Sequence, residues 1–449
     1  MPDYLDESTR ASVYWRTNGE YLLLDTEEQL VRLRQRIAGI DRKFLARREE
    51  RRQQPAEPKP PTTRCFIEEW AEGEVASNEH GEHFQMERLF PSHKRHGVAD
   101  IGALSEMPHD FLDAVSDNGI RSVAPERWAF LDTETTGLAG GSGTYAFLVG
   151  VGRITAEGFR VRQFFMRDYV EERSSLTALE EHLKDFDVLI TYNGKSYDQP
   201  LLETRFRMNR LEPPFGSLSH LDLLYGARRL WKLRLENCRL IQLEEQILGV
   251  LREGDLPGEL IPYVYFEYVR SREAHRMVPV FHHNAMDILT LACLTAIVPA
   301  AFRSHDGESL AKIGVHRGED LSGIARWLMA AKEFEAALAL MKRSVDAGLP
   351  DRLLFRSLWD TAVLERKCGR RNAALNVYAE LAGCKNEYRV SALEELAKFY
   401  EHEEKNFSLA LDFTSKAIEL LPSATLLQRK ARLEKRLAKP VPRRLFKQI

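Results

Sequence analysis

The sequence predicts a mixed α/β layer built on a central sheet, followed by an all-α domain of helical repeats. Three observations lead there. Between residues 125 and 303, strand-type runs and helical patterns follow in the order strands, helix, strand, helices. From about residue 318, a helical signature recurs at spacings of 37 and 36 residues. The 449 residues exceed one ordinary hydrophobic core, so two or three domains are expected.

Composition narrows the class. An apolar content of 44% and a charged content of 29% fit a soluble globular protein. The longest apolar run, Ile288 to Phe302, has 15 residues with two Thr and a Pro, so no membrane span is expected. The N-terminus MPDYLDESTR is acidic and polar, unlike a secretory signal. Five cysteines (65, 238, 293, 368, 384) are scattered without a CxxC pair, which points to reduced cytoplasm rather than a disulfide framework or zinc knuckle. Net charge is only −3, but two stretches are basic. Arg32 to Arg52 carries nine Arg or Lys against three acids, and Arg429 to Ile449 carries nine against one. Each suits either a phosphate backbone or a solvated helix face and soluble tail.

Residues 1–64 form a peripheral segment. Leu30, Leu33, Ile37 and Ile40 give Leu23 to Leu45 the spacing of an amphipathic helix, which runs into the Pro-rich linker QQPAEPKPPTTR. Residues 65–124 form a lead-in segment, where turn residues in EHGEHF predict a hairpin. His80, His83, His93 and His96 fit no zinc spacing and are expected to be structural or on the surface.

Residues 125–303 are expected to form the α/β domain. Trp128 to Leu131 is a short apolar strand, and Asp132 and Glu134 follow it at i and i+2. Alternate side chains of an extended strand share a face, so two carboxylates stand together. Like charges at the end of a buried strand are unfavourable unless a cation lies between them, and oxygen ligands suit magnesium or manganese. The plainer reading is a solvated turn capped by Thr133, Thr135 and Thr136.

Beyond the glycines at 137, 140, 141 and 143, which match no phosphate-binding pattern, Phe147 to Val151 and Phe159 to Met166 complete an antiparallel meander. Glu171 to Leu183 is helical and Val188 to Thr191 a strand. Asn193, Gly194 and Ser196 make a turn, and Asp198 opens a helix, where its plain role is to meet the helix dipole. Two Leu-rich helices, with Arg228, Arg229, Lys232 and Arg234 between them, occupy the stretch from His220 to Val250. The segment FHHNAMDILTLACLTAIV is a strongly apolar helix that carries Asp287 near its start. An unpaired carboxylate beside Ile288, Leu289 and Leu291 is unfavourable, and His283 lies four residues earlier on the same helix face.

Three segments thus deliver Asp132 and Glu134, then Asp198, then Asp287 with His283. This is the inventory of a two-metal phosphodiester site, with ions roughly 3.5–4 Å apart and the histidine as general base for water. The stretches DTETTG, YNGKSYDQPLL and HNAMDIL resemble the three exonuclease motifs of the DEDD superfamily, 3′–5′ exonucleases with a ribonuclease H-like fold. The middle motif is similar to the YNGxxFD stretch in exonuclease domains of replicative DNA polymerases. The nearest resemblance is to YprB-like bacterial proteins, which join such a domain to helical repeats.

The resemblance implies an α/β ribonuclease H-like domain from Trp128 to about Ile297, with two divalent ions (Mg2+ or Mn2+) on Asp132, Glu134, Asp198 and Asp287. Glu134 and His283 would carry catalysis. The superfamily places a Tyr four residues, or a His five residues, before the last Asp. His283 has the first spacing and His282 the second; helix geometry favours His283. Thr135, Asn193 and Tyr197 are candidate contacts to the terminal nucleotide, with Tyr197 either stacking on a base or filling the core.

Residues 318–438 form the repeats. EFEAALALMKRSV, RRNAALNVYAELA and NFSLALDFTSKAI align on Ala337, Ala374 and Ala410, each preceded by a further helix. They resemble tetratricopeptide repeats, which implies a protein-binding surface, with a helicase as one conceivable partner. Residues 439–449 are a basic tail. The expected function is metal-dependent exonuclease action on single-stranded or 3′-ended nucleic acid. DNA is preferred to RNA, and repair or processing is the expected setting. The alternatives are an RNA exonuclease of the same fold, or a non-catalytic adaptor that binds partners through its repeats.

Overall fold

The computed structural model describes residues 67–115, 119–137 and 143–438, and the backbone of Arg16–Thr17 and Glu20–Tyr21, which pair antiparallel. The expected helix at Leu23 to Leu45, the Pro-rich linker, the basic run Arg32 to Arg52, Cys65, Gly140, Gly141 and the tail 439–449 lie outside the described residues.

Seven strands form one sheet: β1 (Gly73–Asn78), β2 (Gly81–Pro91), β3 (Trp128–Thr135), β4 (Ala146–Thr155), β5 (Gly158–Phe165), β6 (Val188–Thr191) and β7 (Ser219–Asp222). Their order is β7-β6-β3-β4-β5-β2-β1. The meander β3-β4-β5 is antiparallel, as its short turns require. β6 and β7 join β3 in parallel, so each needs a helical crossover. The hairpin expected in the lead-in segment is β1-β2. Its second strand pairs with β5 from Phe84↔Phe165 to Pro91↔Gly158, so the hairpin extends the sheet.

Helices α1 (Glu172–Leu183) and α2 (Asp198–Met208) cover one face, against Ala129, Leu131 and Val151. On the other face lies α5 (Val278–Arg303), packed on Phe130, Ile154 and Phe159 through Ile288, Leu291 and Cys293. The sheet is therefore sandwiched between helices. The stretch expected as two Leu-rich helices begins instead with strand β7. Its last residue, Asp222, caps α3 (Leu223–Trp231) by accepting from the Leu224 amide at 3.1 Å. β7 has only four residues and no apolar alternation, so its pattern merged with that of the helix.

The expectation that no apolar stretch is long enough for a membrane needs correction. The helical stretch Ala274–Arg303 passes that test by length and composition, but 78% of its most apolar window is buried inside the protein. A core helix flanked by apolar layers satisfies the same criterion.

After α4 (Ile261–Ser271) and α5, a short α6 (Gly307–Lys312) leads into α7 (Gly318–Ala330), α8 (Phe334–Asp346), α9 (Asp351–Lys367), α10 (Arg371–Gly383), α11 (Arg389–His402), α12 (Phe407–Leu420) and α13 (Ala424–Leu437). The aligned alanines Ala337, Ala374 and Ala410 are all buried, each at the start of the second helix of a pair.

Candidate active site

Strand β3 sets the site by alternation. Trp128 and Phe130 point to α5, and Ala129 and Leu131 to α1 and α2. Asp132 and Glu134 continue the α5 row, whereas Thr133 and Thr135 continue the other. Asn284 of α5 donates to Asp132 Oδ2 at 2.8 Å. Gln163 of β5 donates to Asn284 Oδ1 at 2.8 Å and so fixes the orientation of that amide. Thr133 reaches the first residue of α2, its hydroxyl donating to Asp198 Oδ1 at 2.5 Å. The three acid-bearing segments thus converge on the carboxyl end of β3.

The convergence has an electrostatic consequence. Burial, then Asp287, Glu134 and Asp198, hold the Asp132 carboxyl well above its usual range. Burial pushes Glu134 up to about 8, with Asp287 and Asp198 adding to the rise and His283 opposing it. Burial raises Asp198 to about 6, moderated by the Thr133 bond. Carboxyls crowded this way resist ionisation until a cation joins them.

One cation stands beside the cluster. Arg252, on the loop before α4, is almost fully buried. It forms ion pairs with Asp287 Oδ1 at 2.6 Å, Glu244 Oε2 at 2.6 Å and Asp255 Oδ2 at 3.2 Å. Glu244 opens a π-helical turn (Glu244–Leu248) and also accepts from Thr290 at 2.7 Å, with His96 at 3.1 Å. Burial would raise Glu244, but His96, Arg252 and Thr290 hold it below its usual value. Asp255 accepts from His283 Nδ1 at 2.8 Å, and His283 Nε2 lies 3.6 Å from Asp287 Oδ2. Burial disfavours the charged ring, but Asp287, Asp255 and Glu134 push His283 up to about 9.

His283 therefore faces the acids. His282 is exposed and turns away to Arg88 of β2, its Nδ1 3.0 Å from the guanidinium. Thr135 and Tyr197 are brought together but spend their hydroxyls on the chain itself. Both donate to the Gly137 carbonyl, at 2.9 and 2.6 Å, and they lie 3.1 Å from each other. Asn193 adopts a left-handed φ of 68°, and its amide donates to Asp222 at 2.8 Å. His83 and His96 are buried and bonded to Ser174 and Thr290. Sequence reasoning missed Arg252, Asp255, Glu244 and Gln163. Only Asp255 and Arg252 left a trace, as charges in the polar loop LREGDLPG.

Among the described residues, no three acids or histidines stand in a ready-made metal cage. Asn284, Thr133 and Arg252 hold the carboxylates instead. The donors nonetheless fit a hard divalent cation: all are oxygens, and three of the carboxyls are raised by burial, Asp132 and Glu134 also by repulsion from the other acids, which such an ion relieves.

A profile of the RNase H superfamily matches residues 129–298, the span from β3 to the end of the site-bearing part of α5. The chain is also 31% identical to the uncharacterized protein YprB of Bacillus subtilis (strain 168) over 339 residues, 73% of this chain and 78% of that protein. That likeness is longer than the superfamily domain, so it includes flanking segments. With its RNase H-like domain and its helical C-terminal region, the chain belongs to the family of YprB.

Proposed function

We propose that the protein is a metal-dependent 3′–5′ exonuclease that hydrolyses phosphodiester bonds, with DNA preferred to RNA. One observation carries this reading: Asp132, Glu134, Asp198 and Asp287, from three separate segments, meet beside His283 at the end of β3. The RNase H superfamily match supports a nuclease. The polarity and the DNA preference rest on the likeness of DTETTG, YNGKSYDQPLL and HNAMDIL to proofreading motifs.

Asp132, Glu134, Asp198 and Asp287 would hold the divalent ions, magnesium or manganese, which when bound supply water activation and charge neutralisation at the leaving oxygen. The chain supplies the rest. Asn284 and Thr133 orient two of the carboxylates. Asp255 fixes the Nδ1 proton of His283, which leaves Nε2 as the atom that takes a proton from water. The ring is a base only once the carboxylates facing it are compensated, because against bare acids it keeps its own proton up to about pH 9.

The test is cleavage of end-labelled single-stranded DNA and RNA of equal sequence with manganese, magnesium or chelator, alongside Asp132→Ala. A ladder that shortens from the 3′ end, vanishes with chelator and falls about a hundredfold or more in the variant is expected. Shortening from the 5′ end, or activity near wild type in the variant, defeats the assignment.

A further inference from the structure

Outside the catalytic cluster, the most distinctive feature is a cavity of about 500 Å³ between α3 and α7, where the RNase H-like domain meets the first repeat. Arg228, Arg229, Lys232 and Arg326 line it together with Trp327, and no acid does. The walls are fixed. At Gly323 of α7 an added Cβ would lie 2.5 Å from the Arg229 carbonyl, so the helices touch backbone to backbone there. Arg234, in the turn that follows α3, forms an ion pair with the buried Asp320 of α7 at 2.9 Å and pins that turn to the helix. Arg326 is held by Asp360 at 3.2 Å, and Trp327 packs edge-on against Phe302. Arg228 and Lys232 are exposed.

The cavity is also connected to the catalytic loop. Asp222, at the start of α3, accepts from the amides of Asn193 (2.8 Å) and Lys195 (3.2 Å), in the loop that ends at Asp198. Arg228 lies six residues further along α3, about 9 Å of helical rise. It acts electrostatically on the Tyr192 hydroxyl, which donates to the Cys238 carbonyl.

We infer that this cavity is a second nucleic-acid contact: Arg228 and Lys232 take backbone phosphates of the substrate strand a few nucleotides from the cut, and Trp327 offers a face for a base. The inference rests on the nuclease reading for the identity of its ligand. Two exposed cations, Arg228 and Lys232, in a cavity lined by no acid form a phosphate site, and an aromatic beside them is the pattern of single-strand binding. An acidic protein segment would use the cations but gives no role to Trp327.

The test uses the full chain, chelator to prevent cleavage, and the fluorescence anisotropy of a labelled oligothymidylate of about 20 nucleotides. Arg228→Gln/Lys232→Gln is expected to weaken binding about tenfold at low salt. The slope of log affinity against log salt should fall by roughly 1 to 2, one for each lost phosphate contact. With manganese, the same variant should cleave a dinucleotide as fast as wild type, because the variant residues lie outside the catalytic cluster. Equal affinity and equal salt slope in variant and wild type overturn the inference. So does a variant that loses a polyglutamate peptide but keeps the oligonucleotide, which assigns the cavity to an acidic protein. Arginine-dependent binding without any metal-dependent cleavage by wild type keeps the cavity and removes the nuclease reading; equal binding and equal cleavage of the 20-nucleotide strand by variant and wild type do the reverse.

Discussion

His283 is controlled by a residue 28 positions earlier in the chain. Asp255 accepts its Nδ1 proton, and Arg252 ties Asp255 to Glu244 and Asp287. Asp255→Asn keeps the shape but loses the charge that selects the ring tautomer. Turnover should fall about a hundredfold with KM nearly unchanged, and the loss should not add to that of His283→Ala. Additive losses in the double variant would mean that Asp255 acts elsewhere.

The same residues give the metal-free protein a pH dependence with a definite sign. Glu134 rises to about 8 and Asp198 to about 6, so the folded state binds more protons than the unfolded chain. Stability therefore declines as pH climbs from roughly 4 toward 8. His283, raised to about 9, adds stability that is complete below roughly pH 6.5 and is lost through pH 9, so both effects run the same way. Metal takes the place of those protons. Saturating manganese should raise Tm more at about pH 8 than at about pH 5.5, and Asp132→Asn should shrink the rise. A metal-free Tm that is flat or increases across that window contradicts the charge assignment. The acids themselves were readable because each adjoins an apolar run. Arg252 and Asp255 were not, because a polar loop has no periodicity and their partners are distant in sequence.

Elements deliver these side chains only because β4 lets α5 come close. Gly150 pairs with Asp132 across the sheet, and a Cβ there would meet Asn284 Oδ1 and Ile288 Cδ1 at 2.3 Å. Gly150→Ala should therefore destabilise the fold by about 1–3 kcal/mol, because helix and strand must separate. It should also slow cleavage, since Asn284 is the residue that orients Asp132. Gly216→Ala meets nothing within 4 Å and serves as the control, with a change within about 0.5 kcal/mol. Urea denaturation of both variants decides the point, and equal stabilities would show that the approach of α5 does not depend on the missing Cβ. At this scale, short apolar runs bounded by turn residues exposed β3, β4, β5 and β6, and a long apolar run exposed α5. They failed for β7, where four residues run straight into a capped helix. They also could not show that the β1-β2 hairpin docks on β5, because pairing between distant strands leaves no local mark.

The whole molecule is organised around a core that ignores the boundary between its parts. The cluster that holds Phe130 and Ile288 continues through Leu230, Trp231 and Phe302 into Leu321, Ile324 and Leu328 of α7, and reaches Leu338, Met341 and Leu364. The outer helices have small clusters of their own, around Tyr378 and Leu396 and around Leu393 and Leu426. The first helical pair of the C-terminal region, α7 and α8, is thus part of the RNase H-like core, whereas the later helices lean on one another. Leu321, Ile324 and Leu328 are buried to 3%, 0% and 0% exposure. At about 1.5–3 kcal/mol each, their removal forfeits roughly 5–9 kcal/mol, against a total stability of about 5–15 kcal/mol for a domain. It also leaves Arg234 without its partner Asp320. A chain ending at residue 315 should therefore lose cooperative unfolding or precipitate. A chain ending at residue 369 retains the entire cluster and should unfold cooperatively within a few degrees of the full protein. Thermal unfolding of the two truncations separates the cases. If the shorter chain melted as sharply and at the same temperature as the longer one, α7 would be an attachment, and the basic cavity between α3 and α7 would lose its rigid wall.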